Sequence, residues 1–228
     1  GNVTLGSATL TAGGDNTSTT YQGVISGTGG LTKVGTGNLT LQGQNLYTGT
    51  TAINAGMLTL DNTPGLTLAS TTAVVMANNP AGAVLHLNHD QVIGSLSGGG
   101  PLGGNVELTN QHLTVGDTTS TTYAGVISGN PTSEFTKQGS GTLTLTNNNT
   151  YTGATSVSGS GTLEVQGSLS GTKSLTVNAG GTLLLNSSTN ANNIVNTAAD
   201  YTSNGGTLAV GNSQTGTTNS FAKMTLTA

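Results

Sequence analysis

The sequence predicts an all-β fold: a right-handed, single-stranded parallel β-helix drawn out along one axis. Three observations carry this. The chain repeats itself at an offset of 102–104 residues. Short apolar-x-apolar runs recur inside that repeat, several of them about 20 residues apart, a spacing typical of solenoids. The apolar fraction is only 32%, with 3% aromatic residues and no Trp. So few large side chains cannot fill a thick core, but a solenoid buries a few per coil against the coils above and below.

The repeat is read directly. Gly1-Asn2-Val3-Thr4-Leu5 returns as Gly104-Asn105-Val106-Glu107-Leu108. Asp15-Asn16-Thr17-Ser18-Thr19-Thr20-Tyr21 returns as Asp117-Thr118-Thr119-Ser120-Thr121-Thr122-Tyr123, and Gly23-Val24-Ile25-Ser26-Gly27 as Gly125-Val126-Ile127-Ser128-Gly129. Past an insertion near Pro131 the offset becomes 104 residues. There Lys33-x-Gly35-x-Gly37-x-Leu39-Thr40-Leu41 matches Lys137-x-Gly139-x-Gly141-x-Leu143-Thr144-Leu145, and Asn45-x-Tyr47-Thr48-Gly49 matches Asn149-x-Tyr151-Thr152-Gly153. The offset drifts only in Gly-, Asn- and Pro-containing stretches, as loops between fixed strands do.

Strands are expected, in order, at 39–41, 58–60, 66–68, 143–145, 163–165, 175–177, 183–185 and 208–210. In most of them Thr or Glu separates two apolar residues, giving one buried and one polar face. Gly, Asn and Ser clusters bound almost all of them and supply the turns. Strands stacked in one sheet by a crossover wind right-handed in nearly all cases. A helical bundle would need stripes of period 3.6, which are missing, and Gly and Thr oppose helix. An antiparallel sandwich also alternates, but it leaves the long repeat unexplained. The expected organisation is one β-helical segment over 1–228, with an internal repeat at 1–103 and 104–185 and a less regular tail at 186–228.

The stretch 23–60, with the motif Lys-x-Gly-x-Gly-x-Leu-Thr-Leu followed by Asn-x-Tyr-Thr-Gly, resembles the passenger-associated repeat of autotransporters. The copy at 125–165 matches it, with Phe135 in place of Leu31. Between them, Ile93-Gly94-Ser95-Leu96-Ser97-Gly98 resembles the segment that commonly links such repeats. The resemblance covers about residues 1–185. It implies a β-helical passenger carried through the outer membrane of a Gram-negative cell, on the cell surface or secreted. It implies no single activity, because that family includes adhesins, proteases, toxins and esterases.

Composition excludes several functions. The net charge is −4, there is no Arg, and the four lysines are Lys33, Lys137, Lys173 and Lys223. Neither a nucleic-acid stripe nor a polybasic membrane patch can be built from them. With no Cys there is no thiolate metal site and no cysteine nucleophile. No apolar run reaches the roughly 18 residues of a membrane helix. Contact with a membrane is expected only through an outer-membrane β-barrel outside these residues. The sequence starts at Gly1 without a signal peptide and reads as a piece of something longer.

Each candidate site has a plainer reading. Tyr47 and Tyr151 could stack on a ligand, but a repeat predicts them equally as turn tyrosines covering the coil edge, with Gly49 and Gly153 supplying an unusual backbone angle. Lys33 and Lys137 could contact carbohydrate or phosphate, but are expected on the solvent face, where Lys blocks lateral strand pairing. His86, His89 and Asp90 could hold a divalent metal. In a strand, however, His86 and His89 point to opposite faces unless Asn88 turns the chain. Asp15 and Asp117 are expected to accept backbone amides two residues on; Gly13-Gly14-Asp15 is only a fragment of a calcium-binding repeat. The nearest approach to a nucleophile elbow is Gly211-Asn212-Ser213-Gln214-Thr215, which lacks the last Gly.

No catalytic, cofactor-binding or metal residue is therefore assigned. The expected role is structural and adhesive: a surface stalk, or a passenger segment acting in adhesion or self-association. The expected partners are a host-surface receptor, a glycan or like molecules. The alternative is a glycan-active β-helix enzyme, which needs paired carboxylates in a groove. A third reading, ice binding suggested by Thr142-x-Thr144-x-Thr146, needs Thr stacked on one flat face through many coils, a regularity the sequence lacks.

Overall fold

A computed structural model of the chain describes residues 1–63, 65–186, 194–211 and 219–227. Among the described residues every regular element is a strand, and the named strands pair only in parallel. The chain winds as a parallel β-helix of about ten coils.

Most coils place three short strands in three ladders. The first ladder has ten strands: Leu10–Ala12, Leu31–Lys33, Thr51–Ile53, Ala73–Met76, Ser95–Gly98, Thr121–Tyr123, Thr142–Leu145, Thr162–Val165, Thr182–Leu185 and Thr207–Val210. The second has six, from Thr19–Tyr21 to Ile127–Ser128, and Asn148–Asn149 with Ser168–Leu169 follow on the same side. The third begins with Val3–Thr4, Ile25–Gly27 and Leu46–Tyr47. It resumes as seven strands: Gln91–Ile93, His112–Val115, Glu134–Lys137, Ala154–Val157, Ser174–Asn178, Asp200–Asn204 and Lys223–Thr227. Ten strands at about 4.8 Å make a rod on the order of 45 Å long.

Alternation decides what is buried. Leu39, Leu41, Leu143 and Leu145 point inward and are buried, while Thr40 and Thr144 between them stay part-exposed. Like residues then stack: Leu143 on Leu163 on Leu183, and Leu145 on Val165 on Leu185. Each Leu covers its neighbours, so a narrow core stays dry without Trp.

Seven of the eight expected strands form; 66–68 does not. Coil length explains it. Leu163 pairs with Leu183, 20 residues on, but Leu58 pairs with Leu85, 27 on, and the surplus lies in 61–72. Leu66, Thr67 and Leu68 still occupy the third side of their coil, with Thr67 and Leu68 buried. One backbone bond remains, from the Asn45 N–H to the Thr67 carbonyl at 2.8 Å, and side chains supply the rest. The Asn45 amide donates to the Thr67 carbonyl at 3.1 Å, and Gln91 Oε1 accepts the backbone N–H groups of Thr67 and Leu68 at 3.0 and 3.3 Å.

The two copies of the repeat sit on different ladders. The strand Leu31–Lys33 lies in the first ladder, but its equivalent, Glu134–Lys137, lies in the third. Asn38–Leu41 lies in the second and its equivalent, Thr142–Leu145, in the first. From Leu10–Ala12 to its equivalent His112–Val115 the chain makes four full coils and two of the three sides of a fifth. Equivalent residues therefore emerge about a third of a turn apart around the rod.

Candidate functional site

The repeat residues that looked like surface candidates are mostly internal. Tyr47 and Tyr151 are buried inside the coil, where their hydroxyls lie 2.6 Å from those of Thr51 and Thr155. Burial raises both phenols far above their ordinary pKa. They are core residues with a satisfied polar end, not covers on an edge. Gly49 and Gly153 are needed for a different reason from the expected one. Neither has a positive φ; a Cβ on Gly49 would run into the backbone of Gly29, and one on Gly153 into the Ser133 carbonyl.

Lys33 and Lys137 reverse the expectation outright. They are not on the solvent face: their exposures are 0% and 1%. Strand parity is the physical reason. Lys33 lies two residues after buried Leu31, and Lys137 two after buried Phe135, so each shares its neighbour's inward face. The Lys33 ammonium donates to the carbonyls of Val34 (2.7 Å), Gly35 (2.9 Å) and Ala55 (3.2 Å). Lys137 donates to the Gln138 carbonyl. Burial lowers the pKa of both, and Asp117 partly opposes this at Lys137.

Asp15 and Asp117 do the expected work. The Asp15 carboxylate accepts the Thr17 hydroxyl at 2.8 Å and its amide at 3.2 Å, and these bonds hold its pKa below the usual range. Asp117 accepts the Thr119 amide at 2.6 Å.

The His86, His89 and Asp90 cluster is not a joint site. His86 Nδ1 lies 3.0 Å from Glu107 and its Nε2 3.0 Å from Asn88. His89 lies 2.6 Å from the Thr63 hydroxyl and 3.5 Å from Asp61. Asp90 turns to the next coil and accepts the His112 amide at 2.8 Å. His112, not singled out from the sequence, lies 2.7 Å from the Thr136 hydroxyl and 3.8 Å from Glu134. Each histidine thus faces a carboxylate of an adjacent coil. Among the described residues no group of three or more His, Cys, Asp or Glu is gathered tightly enough to hold a metal ion.

Most carboxylates are committed to structure. Besides Asp15, Asp90, Glu107 and Asp117, Asp61 accepts Gln42 at 2.9 Å and Asn88 at 3.1 Å. Burial works to raise the pKa of Glu164, but bonds from Gln166, Asn186 and Thr144 outweigh it and hold it low. Glu134 and Asp200 stay exposed. An apolar hollow of about 250 Å³ opens among residues such as Val3, Leu10 and Tyr21, away from the carboxylates, while two wider depressions of about 340 and 300 Å³ are lined by Gln22, Gln42 and Asp61 and by Leu66, His89, Asp90 and Gln111. Residues 212–215 of the incomplete nucleophile elbow lie outside the described residues.

The outward faces are the remaining candidates. On the third ladder Thr114, Thr136, Ser156, Thr176, Thr202 and Thr225 stack in register through six coils, every one part-exposed. Beside them runs a mixed column of His112, Glu134, Ala154, Ser174, Asp200 and Lys223. Thr144, from the motif noted in the sequence, is elsewhere, between Thr122 and Glu164 on the first ladder. A regular hydroxyl column, five threonines and Ser156, therefore exists on another side of the rod.

The passenger-associated-transport-repeat profile matches residues 31–60 and 135–165. The chain is also 40% identical over 146 residues, 62% of its length, to the adhesin BmaC autotransporter of Brucella suis biovar 1 (strain 1330). It spans about 4% of the length of that relative. No solved structure matches the chain significantly.

Proposed function

We propose that this chain, a repeat-bearing β-helical segment of an autotransporter passenger, serves as a stiff adhesive stretch of a rod exported to the cell surface. The observation that carries the reading is the outer surface: few charges, and a hydroxyl column unbroken through six coils, while the depressions among the described residues at Asp61 and at Asp90 each hold a single carboxylate. Each hydroxyl contributes little, because water competes for it. Repetition along a rod turns weak contacts into avidity. The match to a protein named as an adhesin supports the same reading. The partners are a host-surface glycan or receptor, or like rods alongside. An enzymatic role finds no support in carboxylates already held by turns and neighbouring coils.

The test is display. Monomeric protein and protein clustered on a tetrameric carrier are applied to epithelial cells and to glycan arrays. The reading expects feeble retention of the monomer and at least a tenfold gain on clustering, the low end of about 10²–10⁴ reduced for imperfect geometry. Turnover of a glycan or ester by the monomer, or tight monomeric binding to one ligand, would overturn it.

A further inference from the structure

Each repeat copy buries one ammonium among the turns of its coils, on three carbonyls at Lys33 and on the Gln138 carbonyl at Lys137, and nothing in the adhesive reading uses it. The Lys33 stem stacks in the inward column between Ala12 of the preceding coil and Ile53 of the next. Its ammonium reaches two carbonyls of its own turn, Val34 and Gly35, and a third, Ala55, in the turn of the next coil. On the preceding coil the cage is closed by Gly13, where a Cβ would stand 3.2 Å from the nitrogen. Lys137 is set in the same way between Val115 and Val157. Gly116 closes its cage on one side and Gly161 on the other, where a Cβ would stand 3.1 and 2.8 Å from the nitrogen. Gly116 is the counterpart of Gly13 in the stack, and the Gln138 carbonyl that of Val34, so the two ammoniums occupy matching places on two different ladders.

An ammonium has three donors and no acceptor, and three converging carbonyls complement it. Converging carbonyls are also how backbone binds bare metal cations. At Lys33 the turns of two successive coils direct carbonyls into the same space, and Gly13 of the preceding coil closes it. We propose that Lys33 and Lys137 are tethered cations, each locking the turns of consecutive coils, and that each cage without its lysine is a site for a small ammonium-type ion. The rod would then carry, in every repeat, the cation that other solenoids must take from solution.

The test uses the 228-residue chain. Lys33→Met with Lys137→Met keeps the stem and removes the charge; the carbonyls lose their donor, and Tm should fall by about 2 °C or more per cage. A double Met variant that melts with the parent overturns the proposal. Lys33→Ala with Lys137→Ala opens the space. Methylammonium chloride should raise the Tm of that variant in a saturable way, while tetramethylammonium chloride at equal ionic strength, which has no N–H to donate, should not. Equal effects of the two salts overturn the cation site. Should the variants fail to fold, nitrogen-15 spectra of the parent decide. Two of the four lysine ammonium signals should be shielded from exchange with water, those of Lys33 and Lys137, while exposed Lys173 and Lys223 exchange freely. Four alike would sink the idea.

Discussion

The Tyr151 hydroxyl lies 2.6 Å from that of Thr155, and Thr155 lies 3.0 Å from Thr172, which donates to the Gly153 carbonyl at 2.8 Å. A chain of hydroxyls thus ties one coil to the next inside the core. Tyr47 makes the same first link to Thr51.

This arrangement makes the rod sensitive to alkali. Burial raises the pKa of Tyr47, Tyr123, Tyr151 and Tyr201 in the folded chain. Unfolded tyrosines titrate near pH 10. Above that pH the unfolded chain binds fewer protons than the folded one, so stability falls as pH rises. Lys33 and Lys137, with lowered pKa values, act in the opposite sense as pH approaches about 10.5, but two cannot offset four. Denaturant midpoints should hold steady to about pH 9 and drop steeply by about pH 11. A flat profile across that window would show that these phenols are not held from water. Tyr151→Phe should reduce the drop, at some cost in stability at neutral pH because Thr155 loses a partner.

The strand phase predicts an asymmetry between neighbours. Leu143 is buried and Thr144 part-exposed, one residue apart. Leu143→Asp places a lone carboxylate in the core and should cost more than about 4 kcal/mol, enough to prevent folding in many domains. Thr144→Asp adds a second carboxylate beside Glu164, which Thr144 now serves as a donor at 3.1 Å, and should cost about 1 kcal/mol. Circular dichroism melts of the two variants decide; equal losses would mean that the register is wrong.

That phase was legible in the sequence because Leu-Thr-Leu marks its own inward and outward sides. The same parity already placed Lys33 beside Leu31 and Lys137 beside Phe135, on the buried face. A general habit of surface lysines concealed it, since a carbonyl cage is formed only by the turns of separate coils. The hydroxyl column was hidden for another reason. Its members are spaced by 22, 20, 20, 26 and 23 residues, so no fixed period exposes it. At 66–68 the pattern was right only for Leu68: Thr67 is buried, Leu66 is part-exposed, and no strand forms because the long coil leaves Gln91 to stand in for one.

Glycines separate close packing from mere turn flexibility. Gly153 has no room for a side chain beneath the Ser133 carbonyl, while Gly14 faces open space and has no positive φ. Gly153→Ala should therefore cost more than about 2 kcal/mol, through a shift of the backbone between coils. Gly14→Ala should be neutral or stabilising by up to about 1 kcal/mol, since it restricts only the unfolded chain. Urea titrations at matched m-value would show this, and similar costs at both sites would remove the close-approach argument.

The histidine cluster offers a test of whether attachment needs a discrete site. His86, His89 and Asp90 each bond to a neighbouring coil, so replacing all three by Ala should lower stability modestly. It leaves the third ladder's hydroxyl column intact. Clustered protein carrying the triple substitution should therefore attach to cells or glycan arrays as the parent does, at a temperature well below its melt. Thr136→Lys with Thr176→Lys should do the reverse. Both side chains point outward from strands whose cores are untouched, so the fold should persist, while two long charged chains break the column at its middle. Attachment of the clustered protein should then fall severalfold, since avidity multiplies the loss at each contact. The opposite pair of results, attachment lost with the triple substitution and kept with the two lysines, would place binding at the histidines and remove the spread-out face from consideration.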